Sequence, residues 1–194
     1  MVKVIVLTAI FAFLCGTASA QSDSTKDRDL QIEIEPASFI LKGYAASVSY
    51  RLTKDNNFSL GLYSALLDVP GWAKTQIFDN VADTTKVRLG FEMALMARYK
   101  FRIFKQWESN PYVGALMGWE YFDVTPVGMP TVRLSTVVLT PYLGYEIYLI
   151  KKILYINPQL RAVFYVGQNS NMTTRPERIG SFFMLPQISL GIRL

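Results

Sequence analysis

The residues most able to do chemistry are charged side chains that alternate with apolar ones along several segments of the chain. Paired carboxylates can act as general acid and base, and Glu92 with Glu120 is the one pair that suits this role. An ion pair is the favoured role for both, because opposite charges occupy similar alternate positions. The candidate interior charges are Glu33, Glu35, Glu92, Glu120, Glu146, Arg51, Arg88, Arg98, Arg161 and Arg193.

Other catalytic and metal-binding chemistry has little support in the composition. The 194 residues include no histidine, which excludes a Ser–His dyad or triad and a His-ligated metal. The single cysteine, Cys15, follows Leu14 and so lacks the small residue that a lipidation site needs. Asp79 and Asp83 could bind a cation, although solvated loop acids are far commoner. We therefore predict no enzymatic activity and no cofactor or metal.

The first 20 residues are typical of a secretory signal peptide. Lys3 precedes an apolar run over 4–14, which is well short of the ~20 residues that a membrane-spanning helix needs. Small residues at 18–20 then fit a signal-peptidase site. We expect cleavage after Ala20, followed by a polar, flexible periplasmic lead-in over 21–29 and one domain over 30–194.

From residue 30 onward, apolar residues alternate with polar or small ones, which is the period of a β-strand with two unlike faces. The segment 87–101 is the clearest case, because an unbroken apolar row starts at Val87 and a second row carries Arg88, Arg98 and Lys100. A helix would mix these two sets around its circumference. The predicted strands are 30–35, 40–52, 58–67, 87–101, 112–123, 137–150, 154–166 and 182–194.

These eight strands predict an all-β, antiparallel up-and-down barrel with both chain ends on one side. The connections 53–57, 103–110 and 151–153 are short, whereas 68–86, 124–131 and 167–180 are longer. Outer-membrane barrels have short periplasmic turns and longer outward loops, so the orientation follows. The tight connection at 36–38 is an exception on the outward side.

The position of the apolar face distinguishes a membrane barrel from a soluble lipocalin-like carrier. A carrier keeps its apolar face inside, whereas a membrane barrel shows it to lipid, where a charge costs about 2–4 kcal/mol. The polar face is rich in Gly, Ala and Ser, which suits a narrow interior, and aromatic residues near strand ends suit the membrane interfaces. We favour the transmembrane barrel. The predicted interfacial aromatics are Tyr50, Tyr99, Trp119, Tyr121 and Tyr145.

Charges of both signs in so narrow a lumen must pair, since an isolated buried charge is very unfavourable. We favour a salt-bridged plug over a gated pore, because eight strands usually leave no open channel. Pro141, Pro158 and Pro186 each remove a ladder donor, so we expect β-bulges at these positions.

The segments IEIEP (32–36), YAASVSYRL (44–52) and NFSL (57–60) resemble the first hairpin of small outer-membrane β-barrel proteins of Bacteroidota. The ending QISLGIRL (187–194) is similar to the C-terminal strand that the barrel-assembly machinery recognises, although Leu194 replaces the usual aromatic residue. The resemblance implies an eight-stranded barrel of the OmpA/OmpX type, mostly without assigned activity, and it carries over no functional residue.

These observations predict a non-enzymatic outer-membrane protein with a structural, adhesive or interaction role in its outward loops, foremost the loop 68–86. The alternatives are a narrow OmpW-like channel or transporter for small or hydrophobic solutes, a soluble carrier and a lipid-modifying enzyme, the last disfavoured by the missing histidine. Expected partners are outer-membrane lipid and the assembly machinery, and we expect a monomer. The net charge of +5, or +4 without Lys3, is too mild to indicate nucleic acid.

Overall fold

The computed structural model describes residues 30–52, 57–78, 81–82, 84–101, 109–150, 153–170 and 182–194. The predicted signal peptide, the lead-in and much of the last long loop lie outside these residues. No helix in the described ranges is long and apolar enough to cross a membrane. The elements in chain order are β1 (Leu30–Ile34), α1 (Pro36–Ile40), β2 (Tyr44–Arg51), β3 (Phe58–Asp68), α2 (Gly71–Ile77), β4 (Lys86–Lys100), β5 (Pro111–Thr125), β6 (Val132–Tyr145), β7 (Ile147–Ile150), β8 (Leu154–Ser170) and β9 (Phe182–Arg193).

The strands form one closed antiparallel barrel. Their order is β6-β5-β4-β3-β2-β1-β9-β8-β7, and β6 also pairs with β8, which closes the sheet on itself. Gly144 pairs with Gln159 and Ile147 with Ile156, so β6 and β7 keep one register along β8 on either side of Glu146. β7 therefore continues β6, and the wall has eight strands, which confirms the predicted fold class.

Large apolar side chains cover the outside of the wall. Leu95, Met117 and Leu143 are 61%, 55% and 58% exposed, whereas polar side chains such as Ser49, Glu33 and Arg98 are buried inside. This distribution is the one expected of a barrel in lipid and the reverse of that in a soluble carrier. The start of β1 and the end of the chain meet at one end of the barrel, where Leu30 and Leu194 exchange backbone hydrogen bonds of 3.3 and 2.8 Å.

A β-bulge in β4 changes which residues of that strand face inward. Ala94 pairs with Tyr63 and Gly118, and Phe91 with Ala65 and Glu120, so two β4 residues, 92 and 93, stand opposite one residue on each side. An extra residue shifts the alternation by one position. Even-numbered residues face inward from position 94 to 100, and odd-numbered ones face inward from 87 to 91.

Arg88 was predicted on the inner face, and this prediction is wrong because the bulge reverses the phase of its part of β4. Its side chain is 49% exposed, and it lies 3.9 Å from the Asp68 carboxylate on the outside. A continuous alternation in the sequence gave no indication of the extra residue.

The first outward connection also differs from the prediction. Residues 36–40 form α1, with Pro36 in the first turn, where its fixed φ and missing N–H suit a helix start. The predicted strand start at Ile40 is therefore wrong, and β2 begins at Tyr44. Lys42 has a φ of 54°, and a Cβ at Gly43 would stand 1.8 Å from the Leu66 carbonyl oxygen, so a tight turn links the helix to β2.

Because β1 ends at Ile34, the wall beside the first part of β9 has no strand in the described residues. β9 pairs with β1 only through residues 190–193, which leaves the edge of 182–189 without a strand partner on that side. The helix α1 contacts both β9 and β2 there. It thus covers a sheet edge that would be very unfavourable if bare in lipid.

The three prolines that were predicted at bulges, Pro141, Pro158 and Pro186, do not lie at bulges. Pro158 pairs with Ile188 in regular register on one side, and on the other it faces the break between β6 and β7. Pro141 lies where the β6–β8 pairing is interrupted, and Pro186 lies beside the edge that α1 covers. The missing N–H groups thus fall at positions where the pairing with a neighbouring strand is interrupted or absent.

Candidate functional site

The half of the lumen near Leu30 and Leu194, here called the terminal half, centres on a buried ion pair between β1 and β4. Both Nη atoms of Arg98 bind the Glu33 carboxylate, with Nη2 to Oε2 at 2.6 Å. Tyr155 Oη and Asn157 Nδ2 also donate to Oε1, at 2.9 and 3.1 Å. The side chains of Arg98 and Glu33 are 1% and 4% exposed. This is a bidentate pair whose carboxylate is fully hydrogen-bonded.

A second centre forms around Glu146, at the junction of β6 and β7. Its carboxylate accepts from Lys100 Nζ at 2.6 Å, Tyr148 Oη at 2.8 Å and Arg193 Nη2 at 3.2 Å. With its amide oxygen turned toward the cations, Gln31 accepts from Lys100 Nζ at 3.2 Å and from Arg193 Nη2 at 2.9 Å. One carboxylate and one amide oxygen are thus shared by two cations.

Farther from the chain ends, Arg161 on β8 makes a third centre. Its Nη2 lies 3.2 Å from Glu35 Oε1, and its Nε and Nη2 donate to Gln159 Oε1 at 3.1 and 3.0 Å. The guanidinium also lies over the rings of Tyr63 and Tyr142, at 5.1 and 5.7 Å from their centroids. These contacts hold the arginine on all sides, so it forms the boundary between the two halves of the lumen.

Three interior glycines make room for the tyrosine rings of the network. Each lies beneath the ring of its direct cross-strand partner, so a Cβ would collide with that ring; at Gly191 it would stand 2.2 Å from Tyr155 Cζ. All three tyrosines bind the network directly: Tyr155 donates to Glu33, Tyr112 donates to Asn157, and Tyr142 accepts from Arg98 Nε at 3.2 Å. The pairs are Gly114 with Tyr142, Gly144 with Tyr112 and Gly191 with Tyr155.

The structure brings together six of the ten predicted interior charges: Glu33, Arg98, Glu146, Arg193, Glu35 and Arg161. Arg51 is also buried and is near enough to Lys100 to interact with it. Arg88 is outside. The side chain of Glu92 lies outside what the structure describes, so its pairing with Glu120 stays a prediction.

The network also contains residues that the list of charges missed. Lys100 was on the predicted inner face, and its place in the strand alternation was the only indication that it belongs to the site. The uncharged members are Gln31, Tyr112, Tyr142, Tyr148, Tyr155 and Asn157. Tyrosine fits both a membrane surface and a packed interior, so its residue type alone did not indicate either place.

The other half of the lumen, here called the loop half, lies beneath α2 and contains an apolar cavity of about 200 Å³. Glu120 borders it from β5 and is 2% exposed. The Tyr165 hydroxyl is close enough to interact with Glu120, but neither Tyr165 Oη nor Glu120 Oε2 makes a hydrogen bond of normal geometry. Apolar lining residues include Leu41, Trp72, Ile77, Leu89, Phe91, Leu116 and Val163.

The predicted interfacial aromatics all lie on outward-facing positions of the wall. Tyr50, Tyr99 and Tyr145 are near the end with the chain termini, where Tyr50 pairs with Leu30. Trp119, 71% exposed, and Tyr121 lie farther along β5. Two levels of aromatic residues are typical of the two interfaces of a membrane barrel.

Comparison with known proteins supports the fold. No family model matches the chain, and no curated protein matches it. Two solved structures are similar, each at 16% identity: the N-terminal β-barrel domain of Pseudomonas aeruginosa OprF (TM-score 0.52, covering 87% of this chain and 98% of that one) and Neisserial surface protein A (TM-score 0.53, 85% and 94%). Both are eight-stranded outer-membrane barrels, and this chain has the same fold.

Proposed function

We propose that this chain is a non-enzymatic outer-membrane barrel whose lumen is closed by a salt-bridged plug, with a structural or interaction role in its outward loops. The observation that carries the proposal is the pair of centres around Glu33 and Glu146. Arg98 on β4 reaches Glu33 on β1, and these two strands are not neighbours in the wall. The ion pair therefore crosses the lumen instead of lining one side of it.

The outward apolar surface and its two levels of aromatic residues support the membrane location. In this proposal the chain is exported with cleavage after Ala20, so the mature protein begins at Gln21 and its chain ends face the periplasm. Lipid and the barrel-assembly machinery are its expected partners, and it works as a monomer. Kinship with small Bacteroidota barrels is part of the proposal and is supported by the segments 32–36 and 187–194.

Hydrogen bonding explains why the plug closes the terminal half. The Glu33 carboxylate has four donor contacts, and the two cations at Glu146 share two oxygen atoms, Glu146 Oε2 and the Gln31 amide oxygen. Opening a path for hydrated ions would separate these charges in surroundings of low polarity, which is strongly unfavourable. Thermal fluctuation of one side chain would therefore not open a conducting path through the lumen.

Conductance of the purified barrel in planar bilayers tests the proposal. We expect no steady openings from the unmodified protein, and measurable ion leakage from the double variant Glu33→Ala/Arg98→Ala, which removes both partners. The matched control is Asp123→Ala/Arg133→Ala, which removes a bidentate pair of 2.7 Å contacts on the exposed surface and leaves the lumen unchanged. Mobility on gels with and without boiling verifies that each variant is folded. Steady openings of the unmodified barrel would favour the narrow-channel alternative instead.

A further inference from the structure

The carboxylate of Glu120 differs from the other described interior carboxylates because no cation of the described residues pairs with it. Glu33, Glu35 and Glu146 each contact an arginine or a lysine. Glu120 is as buried as they are, and its Oε2 atom has no hydrogen-bond partner. A buried carboxylate without a cation is unfavourable unless it is protonated or something supplies the missing charge.

Two more polar atoms at the cavity lack a regular hydrogen bond, and together with the Glu120 carboxylate they form a set of possible acceptors. Tyr165 Oη and Gln187 Oε1 are buried without a hydrogen bond of normal geometry, although Tyr165 is near enough to Glu120 to interact with it, and both side chains border the cavity together with Glu120. A carboxylate and an amide oxygen are acceptors, and a phenol can accept as well. The set therefore matches a ligand group with several N–H donors.

The single cation along the described cavity lining argues against an anionic ligand. Arg161 borders the cavity, but its guanidinium already binds Glu35 and Gln159. An anion would therefore find no free positive charge among the described lining residues and would meet the Glu120 carboxylate. A positively charged ligand group meets complementary charge.

The rest of the cavity is apolar and sets the size of the ligand. Phe91, Leu116 and Val163 lie on its walls, and Trp72 of α2 lies along it on the loop side. A dry apolar cavity of roughly 150 Å³ takes up benzene, so about 200 Å³ holds one aromatic ring or a short alkyl chain with a headgroup.

The position of the cavity suits a ligand that dissolves in lipid. Its lining includes Pro186 and Gln187 on the β9 edge and Ala37 on α1, the helix that stands where the wall lacks a strand. Phe39 and Ile40 of the same helix are 60% and 84% exposed. An apolar molecule in the membrane would therefore have α1, and not a hydrogen-bonded strand, between itself and the cavity.

We propose that the loop-half cavity is a binding site for a small primary amine with an apolar body, whose ammonium group is received by Glu120 with Tyr165 and Gln187. The site goes beyond the closed-lumen function and does not depend on it, because it lies on the other side of Arg161 from the plug.

Calorimetric titration of the full barrel in lipid nanodiscs, with empty nanodiscs subtracted, tests this site with three probes of similar shape. We expect 2-phenylethylamine to bind at least about tenfold more tightly than 2-phenylethanol, as a charge-assisted hydrogen bond predicts, and 3-phenylpropionate not to bind. Glu120→Gln should weaken binding of 2-phenylethylamine by at least about tenfold. Asp123→Asn, a carboxylate change on the outside of the same strand, should leave binding unchanged.

Leu89→Trp fills the cavity and should abolish binding of all probes in a barrel that still shows the boiling-dependent gel shift. Three results would overturn the proposal: no amine binding by the folded unmodified barrel, equal binding of amine and alcohol, or an unchanged amine affinity in Glu120→Gln. The conductance of the barrel is a separate measurement, so failure of the closed-lumen function and failure of this site are distinguishable.

Discussion

The two halves of the lumen are enclosed by the same eight strands, yet they are filled in opposite ways. In the terminal half every described carboxylate contacts a cation, and tyrosine rings fill the space between them. In the loop half the walls are mostly apolar, a cavity remains, and Glu120 has no cation partner in the part of the chain that the structure describes. One barrel geometry can therefore hold a packed plug and a recess for a ligand, depending on which side chains each half receives.

The bulge in β4 is a main cause of this difference. On the terminal side of residues 92 and 93, the strand turns Ala94, Met96 and Arg98 inward, whereas on the loop side it turns Leu89 and Phe91 inward. Without the extra residue, Gly90 and Arg88 would point into the loop half. Because of the bulge, a single strand has an inner face with a buried arginine in the terminal half and an apolar inner face in the loop half.

The comparison predicts unlike responses to one chemical change made in both halves. Glu33→Gln should lower the free energy of unfolding by about 3–5 kcal/mol, because it leaves the buried Arg98 guanidinium without its anion. Glu120→Gln should change it by no more than about 1 kcal/mol, because no cation loses a partner. Urea unfolding of the barrel in phospholipid vesicles, followed by gel mobility, measures both values.

Each carboxylate is in this way the control for the other, since both are buried and both become amides of the same shape. Equal losses in the two variants would contradict the contrast and would mean that Glu120 also interacts with a cation in the folded barrel.

The packing of the terminal half predicts a smaller but clear effect at its glycines. Gly191→Ala should lower the free energy of unfolding by about 1–3 kcal/mol, the usual cost of overpacking, because the new Cβ would displace the Tyr155 ring that binds Glu33. The control is Gly71→Ala in α2, where a Cβ meets no atom within 4 Å and a slight gain is expected from reduced freedom of the unfolded chain. An equal response at both glycines would show that the ring is free to move aside.

Much of the barrel could be predicted from the sequence because strand period and membrane exposure act on every residue. The alternation in 112–123 placed Glu120 inward and Trp119 outward, as the structure has them. A bulge adds one residue without changing the residue types, so the position of Arg88 could not be deduced. That Glu120 has no cation partner among the described residues could not be predicted for a different reason. Ion pairing depends on which strands face each other across the lumen, and the alternation along one strand does not indicate that.

The smallest expected effect tests the bulge itself, through two arginines of one strand. Arg88→Ala should change the free energy of unfolding by less than about 1 kcal/mol, since its contact with Asp68 is long and half-exposed and such surface pairs contribute little. Arg98→Ala in the same urea assay is the reference and should show a loss several times larger. If the two variants lost stability equally, Arg88 would be an interior residue, the alternation in β4 would run unbroken, and the apolar character of the loop half would need another cause.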